Sequence, residues 1–215
     1  MFQTLLRQAG TGLRAILLFT VLLGIGYPLV VYGVAHVPGL ADRAEGSVVT
    51  SADGKFSGSS LIGIDPVAPE DPLAGSSEGA APADPFFHTR PASSAKDVLG
   101  PADTSTSGGS NKGTFDQKLT DTIGQRRQQI AARENVAPDL VPTDAVTASA
   151  SGLDPDISPA YAALQVARVA RATGLPVDRV QQLVAQATDG RALGFLGEPT
   201  VNVTVLNLAV ADARR

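Results

Sequence analysis

From Ala15 to Ala35 the chain carries no charged residue, and an uncharged apolar run of that length leaves few architectures open. As an α-helix rising about 1.5 Å per residue it would extend roughly 30 Å, the thickness of bilayer hydrocarbon. A cleaved signal peptide is the competing reading. Signal peptides carry a shorter apolar region and a small-x-small cleavage site, whereas Ala35-His36-Val37-Pro38 follows here. The run therefore predicts a retained transmembrane helix over residues 15–37. Arg7 and Arg14 precede it without an acidic residue, while Asp42, Arg43 and Glu45 follow it and nearly cancel. By the positive-inside rule, residues 1–14 are expected in the cytoplasm and residues 38–215 outside.

The same helix carries a candidate docking face. Gly12, Phe19, Gly26 and Gly33 recur at heptad spacing, and small residues let helix backbones approach closely in lipid. Gly26 and Gly33 are the packing candidates. Gly24 and Pro28 are expected to kink the helix, and Tyr27 and Tyr32 suit the membrane interface.

Beyond residue 40 the composition changes to a polar chain rich in Gly, Pro, Ser and Ala. Ser47-Val48-Val49-Thr50, the Asp53-Gly54 turn and Gly58-Ser59-Ser60-Leu61-Ile62-Gly63 suggest a hairpin. Asp65 to Pro85 is rich in proline and acid with almost nothing to bury, which predicts a mobile surface insertion. Residues 91–113 form a second loop. Helical spacing then places Phe115, Leu119, Ile123 and Ile130 on one side, with Pro138 ending the run. Ser158 and Pro159 form the clearest helix start in the chain, and Gly174 is a stop by type. Val180, Leu183, Val184 and Ala187 mark another helix. The alternation Val201-Asn202-Val203-Thr204-Val205 predicts a half-buried strand. Together these give an α+β extracytoplasmic domain anchored by one N-terminal transmembrane helix.

Little of the inventory supports catalysis. Among 215 residues there is no Cys and there are two His, so thiolate chemistry is excluded and no His-rich metal site can be built. A net charge of −4 argues against nucleic acid. Gly108-Gly109-Ser110-Asn111-Lys112-Gly113-Thr114 superficially resembles a phosphate loop, but Lys and Gly are in the wrong order and no strand precedes. Neither His36 nor His88 has a sequence context suggesting a general base, and no catalytic residue or metal ligand is assigned. Asp154-Pro155-Asp156 lacks the spacing of a calcium loop.

The chain resembles the C subunit of the Kdp potassium-transporting ATPase. The strings carrying the resemblance are Gly58-Ser59-Ser60-Leu61-Ile62-Gly63, Phe87-His88-Thr89-Arg90-Pro91, Ser107-Gly108-Gly109-Ser110-Asn111, Thr147 through Pro159, Gln165-Val166-Ala167-Arg168-Val169-Ala170 and Gly197-Glu198-Pro199-Thr200-Val201-Asn202-Val203. Their order and spacing cover nearly the whole chain. The resemblance implies a non-catalytic accessory subunit in a bacterial cell membrane. Its partners would be a channel-like potassium-binding subunit, a P-type ATPase subunit and a very small membrane subunit. It further implies a catalytic chaperone raising the pump subunit's affinity for ATP, with ATP bound through that partner. Two departures stand out: Ile64 replaces the Gln common after Leu-Ile-Gly, and the 65–85 stretch is longer than the family pattern. An extracytoplasmic domain could cap the potassium entrance and stabilise assembly. Ser107, Gly108, Gly109, Ser110 and Asn111, with Ser151, Gly152 and Asp154, are the candidate functional loop residues. A signal-anchored hydrolase or a stand-alone binding module remain the alternative classes.

Overall fold

The computed structural model describes residues 2–55, 57–64, 84–100 and 102–215. Two compact units divide at Ser47. The first is a continuous helical segment, α1 (Phe2–Val21), a wide π-helical turn (Leu22–Gly26) and α2 (Tyr27–Ala35), followed by the short α3 (Ala41–Ala44). Over residues 2–35 it is long and apolar enough to cross a membrane. The π turn has a local cause. Pro28 offers no N–H and its ring crowds the carbonyl four residues back, that of Gly24. The backbone relieves this by widening, so that the Tyr27 N–H bonds to Leu22 O, five residues back. One residue added to a turn rotates everything downstream by on the order of 100°. Gly12 and Phe19 therefore do not continue the line of Gly26 and Gly33.

In the second unit, β1 (Val48–Thr50) and β2 (Ser57–Ser59) pair antiparallel around the Asp53-Gly54 turn, with Val49 opposite Gly58. Irregular segments at 84–100 and 102–116 precede α4 (Gln117–Glu134). Its N-cap is Asp116, whose carboxylate accepts the Lys118 N–H at 2.8 Å. Phe115 precedes that cap, so it falls outside the helical phase and is fully exposed, contrary to the inward position its spacing suggests. Asn135, at φ 56°, ends α4 in the left-handed conformation before Pro138 is reached. After a 3₁₀ turn (Pro138–Leu140) comes α5 (Thr143–Val146) and then β3 (Asp156–Ile157).

Ser158 opens α6 (Pro159–Thr173), accepting the Tyr161 N–H at 3.0 Å. It also donates to Asp144 at 2.8 Å, tying α5 to the cap. Gly174 closes α6 at φ 74°. Next are α7 (Val177–Gln186), β4 (Thr188–Asp189), β5 (Thr200–Asn202) and α8 (Val203–Ala213). The sheet runs β3-β5-β4, antiparallel throughout, with Val201 opposite both Ile157 and Thr188. The expected strand through Val205 stops at Asn202. There the side chain accepts the Val205 N–H and starts a helix, and Val203, Leu206 and Val210 are buried at helical spacing. The core gathers Phe87, Ile130, Val146, Tyr161, Val169, Val180 and Val201 with this face of α8. Of the predicted insertion, residues 65–83 lie outside the described residues.

Candidate functional site

The two loops singled out in the sequence lie side by side in space. Gly108 N donates to Ser151 O at 2.8 Å, and Ser107 Oγ donates to the same oxygen at 3.1 Å. Ser93 Oγ closes the junction from the third side, donating to Gly108 O at 2.7 Å. The approach is tight: a Cβ on Gly109 would stand 3.1 Å from Ala150 O, so that backbone would have to give by a few tenths of an ångström. On the second loop, Ser149 Oγ accepts the Gly152 N–H and Ser151 Oγ accepts the Leu153 N–H, both at 3.1 Å. Asp154 bonds to other partners. One carboxylate oxygen accepts from Arg90 Nη1 at 3.2 Å and the other from the Asp156 N–H at 3.0 Å. Among the described residues no hydrogen bond joins Ser110 or Asn111 to the second loop. Asn111 is left-handed at φ 50°, and Ser110 lines a cleft with Gly109 and Lys112.

Further strings converge on the same region. Arg90 also donates to the carbonyls of Thr147 and Ala148, and Ser149 N donates to Pro91 O at 2.9 Å. Gly63 N donates to Leu153 O at 2.8 Å, and a Cβ on Gly63 would collide with the Asp154 carbonyl. Thus Leu61-Ile62-Gly63, Phe87 to Pro91, Ser107 to Gly109 and Thr147 to Asp154 form one junction of irregular backbone. Polar, non-core strings of this kind are constrained by the bonds they make to one another.

Behind the junction sits an ionic network that spacing alone did not reveal. Arg168, buried on α6, reaches Glu134 on α4 at 3.0 Å and Asp84 at 3.1 Å. It also donates to the carbonyl of Phe86 at 2.9 Å and to Gln165 Oε1 at 2.8 Å. Gln165 in turn accepts the His88 N–H at 2.8 Å and donates to His88 O at 3.2 Å. His88 Nε2 lies 2.9 Å from Asp84. Burial pushes the Asp84 carboxyl up, but the His88 hydrogen bond and the charges of His88, Arg168 and Arg133 outweigh it and hold the group below its ordinary range. One available signal was Arg168 itself, a charge at helical spacing from Gln165 within an otherwise apolar face.

A second carboxylate is shifted the other way. Asp156 is pushed up by burial and by the charges of Asp154 and Asp189, against a hydrogen bond from Asn202. Asp156 and Asp189 share an open cleft of about 500 Å³ with Ser60 and Asn202.

The family model described as "K+-transporting ATPase, c chain" matches residues 9–212. This chain belongs to the KdpC family. Two curated relatives are 46% identical: the potassium-transporting ATPase KdpC subunits of Kineococcus radiotolerans, over 97% of this chain and 95% of the relative, and of Streptomyces coelicolor, over 94% and 90%. The KdpC subunit of Bradyrhizobium diazoefficiens is 40% identical over 97% of this chain and 98% of its own length. The KdpC match spans both structural units, so the apolar helix and the α+β domain are together the family's architecture. A KdpC chain is an accessory subunit of a multi-subunit potassium-transporting ATPase, and the resemblance carried by the polar strings is thereby confirmed.

Proposed function

We propose that this chain supports high-affinity, ATP-driven potassium uptake by docking on the outer face of the pump complex. The observation that carries this reading is the family match running from residue 9 to residue 212, across the apolar helix and the whole folded domain. The helix is anchored in the bacterial cell membrane. Arg7 and Arg14 hold its N-terminus in the cytoplasm and the domain lies outside. Gly26 and Gly33 pack against a helix of a partner subunit. The domain contacts the channel-like subunit, caps its extracellular potassium entrance and stabilises assembly with the P-type ATPase subunit and the small membrane subunit.

The chain contributes no catalytic residue in this reading and meets ATP only through the pump subunit. Acting as a catalytic chaperone, it raises ATP affinity by binding one state of the complex more tightly than another, a coupling that is necessarily reciprocal. The loop junction built from Ser107, Gly108, Gly109, Ser151 and Gly152 presents the constrained surface for docking. Deleting residues 40–215 while retaining the anchor is expected to abolish high-affinity uptake and to lower ATP affinity of the pump. Unchanged uptake would exclude the capping role, and recovery of the full chain alone in mild detergent would exclude the docking role.

A further inference from the structure

The cleft beside the 107–111 loop carries cationic side chains that the docking reading does not use. It encloses about 490 Å³ between the 92–98 segment, the 109–112 segment and α4. Lys96, Lys112 and Arg126 line it, against Asp97 as the one acidic residue among the described lining. Arg126 is the anomaly. Its side chain comes from α4 with the residue only 6% exposed. Nε donates to Val98 O and Nη1 to Val146 O, each at 3.2 Å. No carboxylate pairs with it among the described residues, and its Nη2 edge makes no hydrogen bond there. Burial, with no opposing charge to offset it, lowers its proton affinity.

A guanidinium partly withdrawn from water and held by carbonyl oxygens alone, without a counter-charge, favours an anion beside it. The walls around it are also donors. The Ser110 hydroxyl and the backbone N–H groups of Gly109, Ser110 and Lys112 carry no hydrogen bond among the described residues. Asn111, left-handed at φ 50°, turns this backbone as in the concave arrangements that bind anions. Lys96 is near enough to Asp103 to lower that carboxyl, behind the larger effects of hydrogen bonds from Ser105 and Thr106, but neither Lys96 nor Lys112 is ion-paired within the described residues.

We infer that this cleft is an oxyanion site, in which Arg126 from below and Lys96 and Lys112 from the rim receive a carboxylate or phosphate group. Arginine's planar fork matches either group with two parallel hydrogen bonds, and the flexible lysines supply point charges. The same chemistry has two sources: a free oxyanion, or an acidic side chain of a partner subunit. The second source rests on the docking reading above, whereas the first does not.

The test uses the full-length chain in detergent, titrated with inorganic phosphate at constant ionic strength, and the charge reversal K96E/K112E, which alters exposed side chains only. Wild type is expected to bind phosphate and to gain thermal stability in proportion, by simple linkage. The reversal should weaken binding at least tenfold, and Arg126→Gln comparably, with circular dichroism checking that the fold persists in each. Co-purification with the pump subunits distinguishes the sources. If the reversal loses phosphate but keeps the partners, the occupant is a free oxyanion. If it loses both, and phosphate competes with assembly in wild type, the occupant is a partner carboxylate. Absence of phosphate binding by wild type overturns the proposal, whatever assembly does. Failure of wild type to co-purify with pump subunits sinks the docking reading alone, because the chain-only titration stands apart from it.

Discussion

Arg168 Nε and Glu134 Oε2 meet at 3.0 Å between α6 and α4, where the Glu134 side chain is entirely shielded from solvent. Arg133 holds the other side of the same carboxylate at 2.7 Å. Two cations on one buried acid make this contact asymmetric: removing the acid leaves Arg133 with only the Tyr161 hydroxyl at 2.9 Å and Arg168 with Asp84 as its one remaining ion pair among the described residues.

Glu134→Leu is therefore expected to destabilise the chain by about 3–5 kcal/mol, the range for breaking a buried pair from one side. Pairing it with Arg168→Met should recover part of that loss, since an apolar replacement of both partners leaves less uncompensated charge. Chemical denaturation of the full-length chain in detergent checks both. A double variant less stable than the single would show that Arg168 acts chiefly through its bonds to the Phe86 carbonyl and Gln165.

Gly63→Ala forces a Cβ into the Asp154 carbonyl. Overpacking of this kind costs roughly 1–3 kcal/mol, and here it falls on the hydrogen bond from Gly63 N to Leu153 O that ties the first string to the loop junction. Hydrogen exchange should show the amide of residue 63 opening faster in the variant than in the native chain, with the α6 amides unchanged.

Ser158→Ala removes an N-cap and also a donor to Asp144. The cap alone is worth about 1 kcal/mol. With the Asp144 bond added, the loss measured in the same unfolding experiment should be about 1–2 kcal/mol. Ser158→Asp would keep an acceptor for the cap but place a second carboxylate against Asp144, so it should not restore stability.

Stability should respond to pH in opposite senses at two carboxylates. Asp84 is held below its ordinary value of 3.8, so its contribution is complete above that value and is lost as pH falls through the depressed one. Asp156 is held above 3.8. Its contribution is complete below that value and is lost as pH rises through the raised one. Asp156→Asn should accordingly raise the melting temperature at neutral pH, with the gain vanishing below the ordinary carboxylate range. A uniform gain at every pH would point to packing rather than charge.

The parts of this fold legible in the sequence are those decided locally. Ser158, Pro159 and Gly174 mark both ends of α6 because caps depend on neighbours within a few residues. Asp53-Gly54 marks the hairpin for the same reason. Val201 to Val205 misleads because its alternation fits a strand, and only the Asn202 side chain, by capping the Val205 N–H, decides for a helix. Phe115 misleads because the helix begins one residue after the Asp116 cap. The candidate loops around Ser107 and Ser151 were visible as strings, but their contact spans distant parts of the chain. The Arg168 network was less visible still, since Asp84, Glu134 and Arg168 come from three separate segments.

The wide turn at Leu22–Gly26 gives the apolar helix a property that hydropathy does not capture, a phase. Its two halves are keyed to each other by one surplus residue, so the helix behaves less like a generic tether than like a key cut for one orientation. Excising a single residue there, Gly24 for instance, would leave composition and length almost untouched. It would nonetheless swing the half bearing Gly26 and Gly33 around the axis by on the order of 100°. Anchors exchanged between proteins on the strength of matching apolar length alone would miss this.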